Sequence, residues 1–274
     1  MAVPRPLVLA WVIIGAANIL LLVTTLLVGF SAPTQPLDTG EAVALSSPGL
    51  ATVSTVLSSL WGIVLVYFLG VMRSDVKSIT SRLVDALRNK SSELQASSDE
   101  SRALVAGNMG RAAVELANAV RMPSPWGLPV LAGVLLLTAI GASVYIAFLS
   151  QQVPPANPLE AIETLFLIAT LGLISSTVAF IYLVVVLYAL SSLNWYLGNI
   201  DRAMSSSFEA LSNLVAVEEG VKGRKLGRRS AALYVILTLI TLSFFMLYWL
   251  WALNGDLAKC ERRADSLLTL LSRT

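Results

Sequence analysis

Four carboxylates are the first residues in this chain whose types and spacing suggest chemistry: Asp38 and Glu41, then Glu160 and Glu163. Each pair sits inside the same pattern, P-x-[Q/N]-P-L-[D/E]-x-x-E, written once from Pro33 to Glu41 and again from Pro155 to Glu163. Neither stretch 31–48 nor stretch 151–160 contains a lysine or arginine. Acids without basic neighbours at the mouth of a membrane protein would concentrate cations. The same positions also suit the first turn of a helix, where the helix dipole favours a carboxylate by about 0.3–1 kcal/mol. A third arrangement has the basic residues Lys259, Arg262 and Arg263 folding back onto these acids.

Hydroxyls form the second constellation. Ser54, Thr55, Ser58 and Ser59 fall in one apolar segment, and Ser175, Ser176 and Thr177 in another. Helical spacing puts 55 with 59 and 54 with 58 on shared faces. Such groups could line a neutral hydrophilic path. They equally serve helix–helix hydrogen bonds, worth about 0.6 kcal/mol each on average in a bilayer.

Other chemistry is missing from the sequence. There is no histidine, and Cys260 is the only cysteine, so an internal disulfide, a cysteine metal cluster and imidazole acid–base work are all excluded. Gly220, Gly223 and Gly227 match neither a phosphate-binding loop nor a dinucleotide fingerprint. No ionisable residue lies at mid-depth of an apolar segment, where a coupled pump needs one. The expectation is no catalytic residue, no cofactor and no metal.

The elements that position these residues follow from composition. The chain is 56% apolar and only 13% charged, with a mean hydropathy of +0.75. A soluble domain carries about a quarter charged residues, so this is a membrane protein. Apolar segments long enough to span, roughly 20 residues each, lie near 7–29, 49–72, 128–149, 161–190 and 231–253. The expected fold is all-α and polytopic, with five transmembrane helices.

Lysine and arginine orient it. Stretch 73–127 holds eight (Arg73, Lys77, Arg82, Arg88, Lys90, Arg102, Arg111, Arg121) and 191–230 holds six. The positive-inside rule makes both cytoplasmic, so the N-terminus is inside and the C-terminus, after five spans, outside the cell membrane. The first apolar stretch lacks a convincing cleavage site and reads as a retained helix rather than a signal peptide. The net charge of +2 is no nucleic-acid signature once divided this way.

Both basic stretches are periodic. Val76, Ile79, Leu83, Leu87 and Leu94 form one apolar stripe, and Val105, Met109, Ala112, Leu116 and Val120 another after a break at 95–100. Ser97 with Glu100 reads as a capping box opening the return helix. Ile200, Met204, Phe208, Leu211 and Val215 repeat the plan. Cytoplasmic helical hairpins are therefore expected near 73–122 and, shorter, 191–230. Ser47-Pro48, Ser124-Pro125 and Asn157-Pro158 mark helix starts, and Asn254-Gly255 a stop.

The nine-residue pattern recurs at an offset of 122 residues, from Pro33 to Pro155. A polar loop has no compositional reason to repeat, so duplication of a two-helix unit is indicated. The expected division is repeat one at 1–127, repeat two at 128–230, and a fifth span with an external amphipathic tail at 231–274. Trp11, Trp126 and Trp195 are expected at the inner membrane surface, Trp249 and Trp251 at the outer. Five charges between Lys222 and Arg229 would attract anionic lipid headgroups.

These features point to a non-enzymatic membrane scaffold or complex subunit. It would self-associate, or bind a protein partner, through the stripe of Val76, Ile79, Leu83, Leu87, Met204, Phe208 and Leu211. The alternative is a channel or passive transporter, with the four acids as its mouth and Ser54, Thr55, Ser58, Ser176 and Thr177 along its path.

Overall fold

The computed structural model describes residues 48–97, 99–122, 124–151, 158–214, 230–241 and 244–273, with Ala10, 13–17 and Leu226. Six helices are described in order: α1 (Pro48–Gln95), α2 (Glu100–Ala119), α3 (Gly127–Gln151), α4 (Pro158–Ser212), α5 (Ala231–Ile240) and α6 (Phe244–Arg273). No strand occurs among the described residues.

Length decides what each helix can do. With 48 residues in α1 and 55 in α4, the two extend to about 70 and 80 Å at 1.5 Å per residue. A hydrocarbon core is only about 30 Å thick, so each has residues for a crossing and as many again beyond it. The 25 residues of α3 suffice for one crossing. Proline placement explains the starts of α1 and α4, since Pro48 and Pro158 open them where no amide donor is needed.

The chain is an all-α, multi-pass membrane protein, and among the described residues it has three candidate transmembrane helices where five were expected over the whole sequence. They are Val56–Gln95, Gly127–Leu149 and Ile162–Ser212. Most of the expected first span, 7–29, lies outside the described residues. The expected fifth span, 231–253, is broken. Its apolar run divides into the ten-residue α5 and the start of α6. Hydroxyls account for the break: Thr241 Oγ1 donates to the Leu237 carbonyl at 2.7 Å and accepts from the Phe245 amide at 2.9 Å. It thus ends one helix and caps the next. Beyond it, Trp249, Leu250 and Leu253 turn inward and are buried.

Other boundaries move for local reasons. Asp99, not Ser97, caps α2, accepting from the Ser101 amide at 3.0 Å. The start at Ser124-Pro125 slips to Gly127. The expected stop at Asn254-Gly255 is absent, and α6 runs through it with Asn254 buried. Trp249, expected at the outer surface, is 0% exposed.

The described residues fall into two compact units. One comprises 69–127 and 188–273. Its interior is built by Leu69, Met72 and Leu83 of α1, Met109 and Leu116 of α2, Leu190 and Phe208 of α4, and Trp249 of α6. Gly70 allows Trp126 to lie against the α1 backbone, because a Cβ there would collide with the indole. The other unit comprises 48–68 and 128–187. In it Gly62 receives the Leu136 side chain where a Cβ would stand. Its outward positions are apolar, including Val130, Leu137, Leu165, Phe166, Leu173 and Phe180, as a lipid-facing surface requires.

Candidate functional site

The most organised polar cluster joins α4 and α6. Asp201, Ser205 and Phe208 share one face of α4 at helical spacing, and Asp256, Cys260 and Arg263 share one face of α6. Arg263 Nη1 donates to Asp201 Oδ1, with the two side chains only 5% and 13% exposed. Its Nη2 donates to Ser205 Oγ at 3.0 Å, and the guanidinium carbon sits 5.5 Å from the centre of the Phe208 ring. Asp256, also buried, accepts from Lys259 Nζ at 3.4 Å. Burial and the neighbouring carboxylate of Asp201 push the Cys260 thiol up to about 12, so the sulfur stays protonated and unreactive at neutral pH.

A second cluster surrounds Arg73 on α1. Its Nε donates to the Pro125 carbonyl at 3.1 Å and its Nη1 to Ser192 Oγ at 2.8 Å, while Tyr196 lies 6.0 Å beneath the guanidinium. The arginine ties the connection before α3 to both α1 and α4. The two arginines, Arg73 and Arg263, each donate to groups on other parts of the chain. That is the chemistry of a clamp, and no group of three or more metal-capable side chains occurs among the described residues.

The residues singled out by sequence are distributed differently. Asp38 and Glu41 lie outside the described residues. Glu160 and Glu163 are exposed on the first turns of α4, and Thr164 Oγ1 donates to the Glu160 carbonyl at 2.8 Å. Arg263 is paired with Asp201, so this arginine is committed to α4 rather than to an outer loop.

The hydroxyls also separate. The side chains of Ser54 and Thr55 lie outside the described set, and Ser58 and Ser59 are half-buried. Ser176 is exposed; Thr177, also exposed, donates to the Leu173 carbonyl of its own helix at 2.9 Å. Ser175 reaches across to α3, lying 3.4 Å from both Ser143 Oγ and the Ala139 carbonyl.

The apolar stripe is already covered. Val76, Ile79, Leu83, Leu87, Met204, Phe208 and Leu211 are all buried, as are Met109 and Leu116 of α2 and Leu257 and Leu267 of α6 in the same unit. A surface filled by its own chain is not open to a second one. The pairing of Asp201 with Arg263, 62 positions apart, was missed, because periodicity within one helix carries no information about its neighbour. The available signal was an acid on α4 and a base on α6, each beside buried apolar positions of its helix. The Lys222–Arg229 run, except Leu226, lies outside the described residues. Comparison with protein-family models, curated proteins and solved structures returned no match.

Proposed function

We propose that the chain is a non-enzymatic membrane scaffold or a subunit of a membrane complex, presenting a helical body to a protein partner or a second copy of itself. The supporting observation is that α1 and α4 each continue unbroken from an apolar segment into a charged-surfaced helical unit. Helices of that kind hold a folded body beside a membrane without needing reactive groups. The lysine and arginine count of 73–127 favours the cytoplasmic side for this body. The nine-residue pattern written twice in the sequence favours a duplicated two-helix ancestry, and the Lys222–Arg229 run favours contact with anionic headgroups.

Because the stripes are covered, recognition moves to the outward face of α2. Leu104 and Val114 are exposed there, with Arg111 between them at helical spacing. A conducting role has less behind it, since Ser143, Ser175 and Thr177 are engaged with backbone carbonyls of the helices themselves.

The test is native mass spectrometry from mild detergent, with identification of co-purifying chains. The expected species is larger than one 29.3 kDa chain. The double variant Leu104→Arg, Val114→Arg should dissociate it without changing the thermal melt. A lone chain in both samples, or an assembly indifferent to the variant, refutes the proposal.

A further inference from the structure

The short helix α5 lies between two stretches that are packed together. Before it, Asp201 and Ser205 of α4 hold Arg263; after it, α6 supplies that arginine and also Asp265, which meets Arg82 of α1 at 3.4 Å. Both ends of the intervening chain are thus tied to one helical body. At ten residues, α5 is about 15 Å long, half of the ~30 Å that a crossing demands.

Its two faces differ. Tyr234 and Thr238 are buried, and Tyr234 packs on Phe245 and Trp249 with ring centres 5.1 and 5.3 Å away. The opposite face shows Leu233, Ile236, Leu239 and Ile240, all largely exposed, continued by Tyr248 and Trp251 of α6. No charged residue occurs from Ser230 through Gly255, whereas five basic residues crowd Lys222–Arg229 just before it. Ser230 Oγ accepts from the Leu233 amide at 3.3 Å, and Thr241 serves the backbone on both sides of the reversal. Polar groups satisfied within the chain are what a turn in hydrocarbon requires.

We propose that α5 and the first turn of α6 form a half-membrane hairpin. It enters the leaflet nearest the helical body, contacts acyl chains through Leu233, Ile236, Leu239 and Ile240, and returns α6 to the side it left. Tyr248 and Trp251 occupy the interface of that leaflet.

Single cysteines in a Cys260→Ala background test this, using full-length protein in phosphatidylcholine–phosphatidylglycerol vesicles. An impermeant maleimide should label Ser272→Cys and Arg88→Cys from one face and Glu160→Cys from the other. A fluorophore on Ile240→Cys should be quenched several-fold more by spin-labelled lipid than by aqueous iodide. Labelling of Ser272→Cys together with Glu160→Cys means a complete crossing and overturns the proposal. So does iodide quenching at Ile240→Cys, which means water. Protection from both quenchers also overturns it, because a second copy then covers the face.

Discussion

Replacing Asp201 by alanine leaves Arg263 buried with its charge unmatched, and the cost can be worked from the geometry. Two unit charges about 4 Å apart interact by about 4 kcal/mol at an effective dielectric of 20. Removing one member of a buried pair costs about 3–5 kcal/mol in general. Arg263 keeps its bond to Ser205 and its place over Phe208, so the lower end, about 3 kcal/mol, applies. At 1.36 kcal/mol per decade that is roughly 150-fold in the equilibrium for releasing α6. The Arg82–Asp265 pair is the internal control. Its side chains are 45% and 56% exposed, so Asp265→Ala should cost no more than about 1 kcal/mol. Hydrogen–deuterium exchange in detergent, read on peptides from 244–273, measures both. Asp201→Ala should accelerate exchange by about two orders of magnitude, and Asp265→Ala only by a few-fold. Asp201→Leu with Arg263→Met should recover most of the loss, because a buried pair replaced by apolar groups is often neutral. Equal effects at 201 and 265, or a double variant as fast as the single, would refute the reasoning.

Leu83→Ala empties a fully buried site and should cost about 2–5 kcal/mol, lowering the melting temperature whatever the oligomeric state. Gly70→Ala forces its methyl group into the Trp126 ring and should destabilise by about 1–3 kcal/mol. Gly141→Ala, which meets nothing within 4 Å, should leave the melt unchanged. Cys260 should resist maleimide at neutral pH until the protein is denatured. Its thiol is raised from 9.0 to about 12, so between those values the folded chain keeps a proton that the unfolded chain releases. Stability therefore falls as pH rises through that window, and Cys260→Ala should flatten the fall in a pH series of melts.

Much of α1 and α4 was legible because prolines mark their starts and apolar residues recur at helical spacing. The break after Gln95 was legible from its run of small polar residues. The fate of 231–253 was not, because a run of apolar residues suits a bilayer and a protein core equally well. Thr241 carried the distinction, since its hydroxyl bonds the backbone on both sides of the break. The helical spacing of apolar residues around Leu83 was readable, but what covers them was not. Arg263 and Asp265 of α6 meet Asp201, Phe208 and Arg82, yet the apolar positions Leu257, Leu267 and Leu271 of α6, buried in the structure, read in the sequence as an isolated amphipathic tail. The acids were recognisable as helix-start residues at Glu160, and there the sequence offered no geometry beyond the first turn.

The place of α6 in the core also sets an order of events during synthesis. The stripes of α1, α2 and α4 are translated before the helix that helps to bury them. About 60 residues separate Ser212 from Arg273, and at 5–20 residues per second that is roughly 3–12 s. For that interval the nascent chain carries an unfinished apolar surface beside the membrane it has already entered. Whatever shields Leu83, Leu87 and Phe208 in those seconds, whether an insertion factor, a chaperone or the lipid surface, is then displaced by the chain's own later residues.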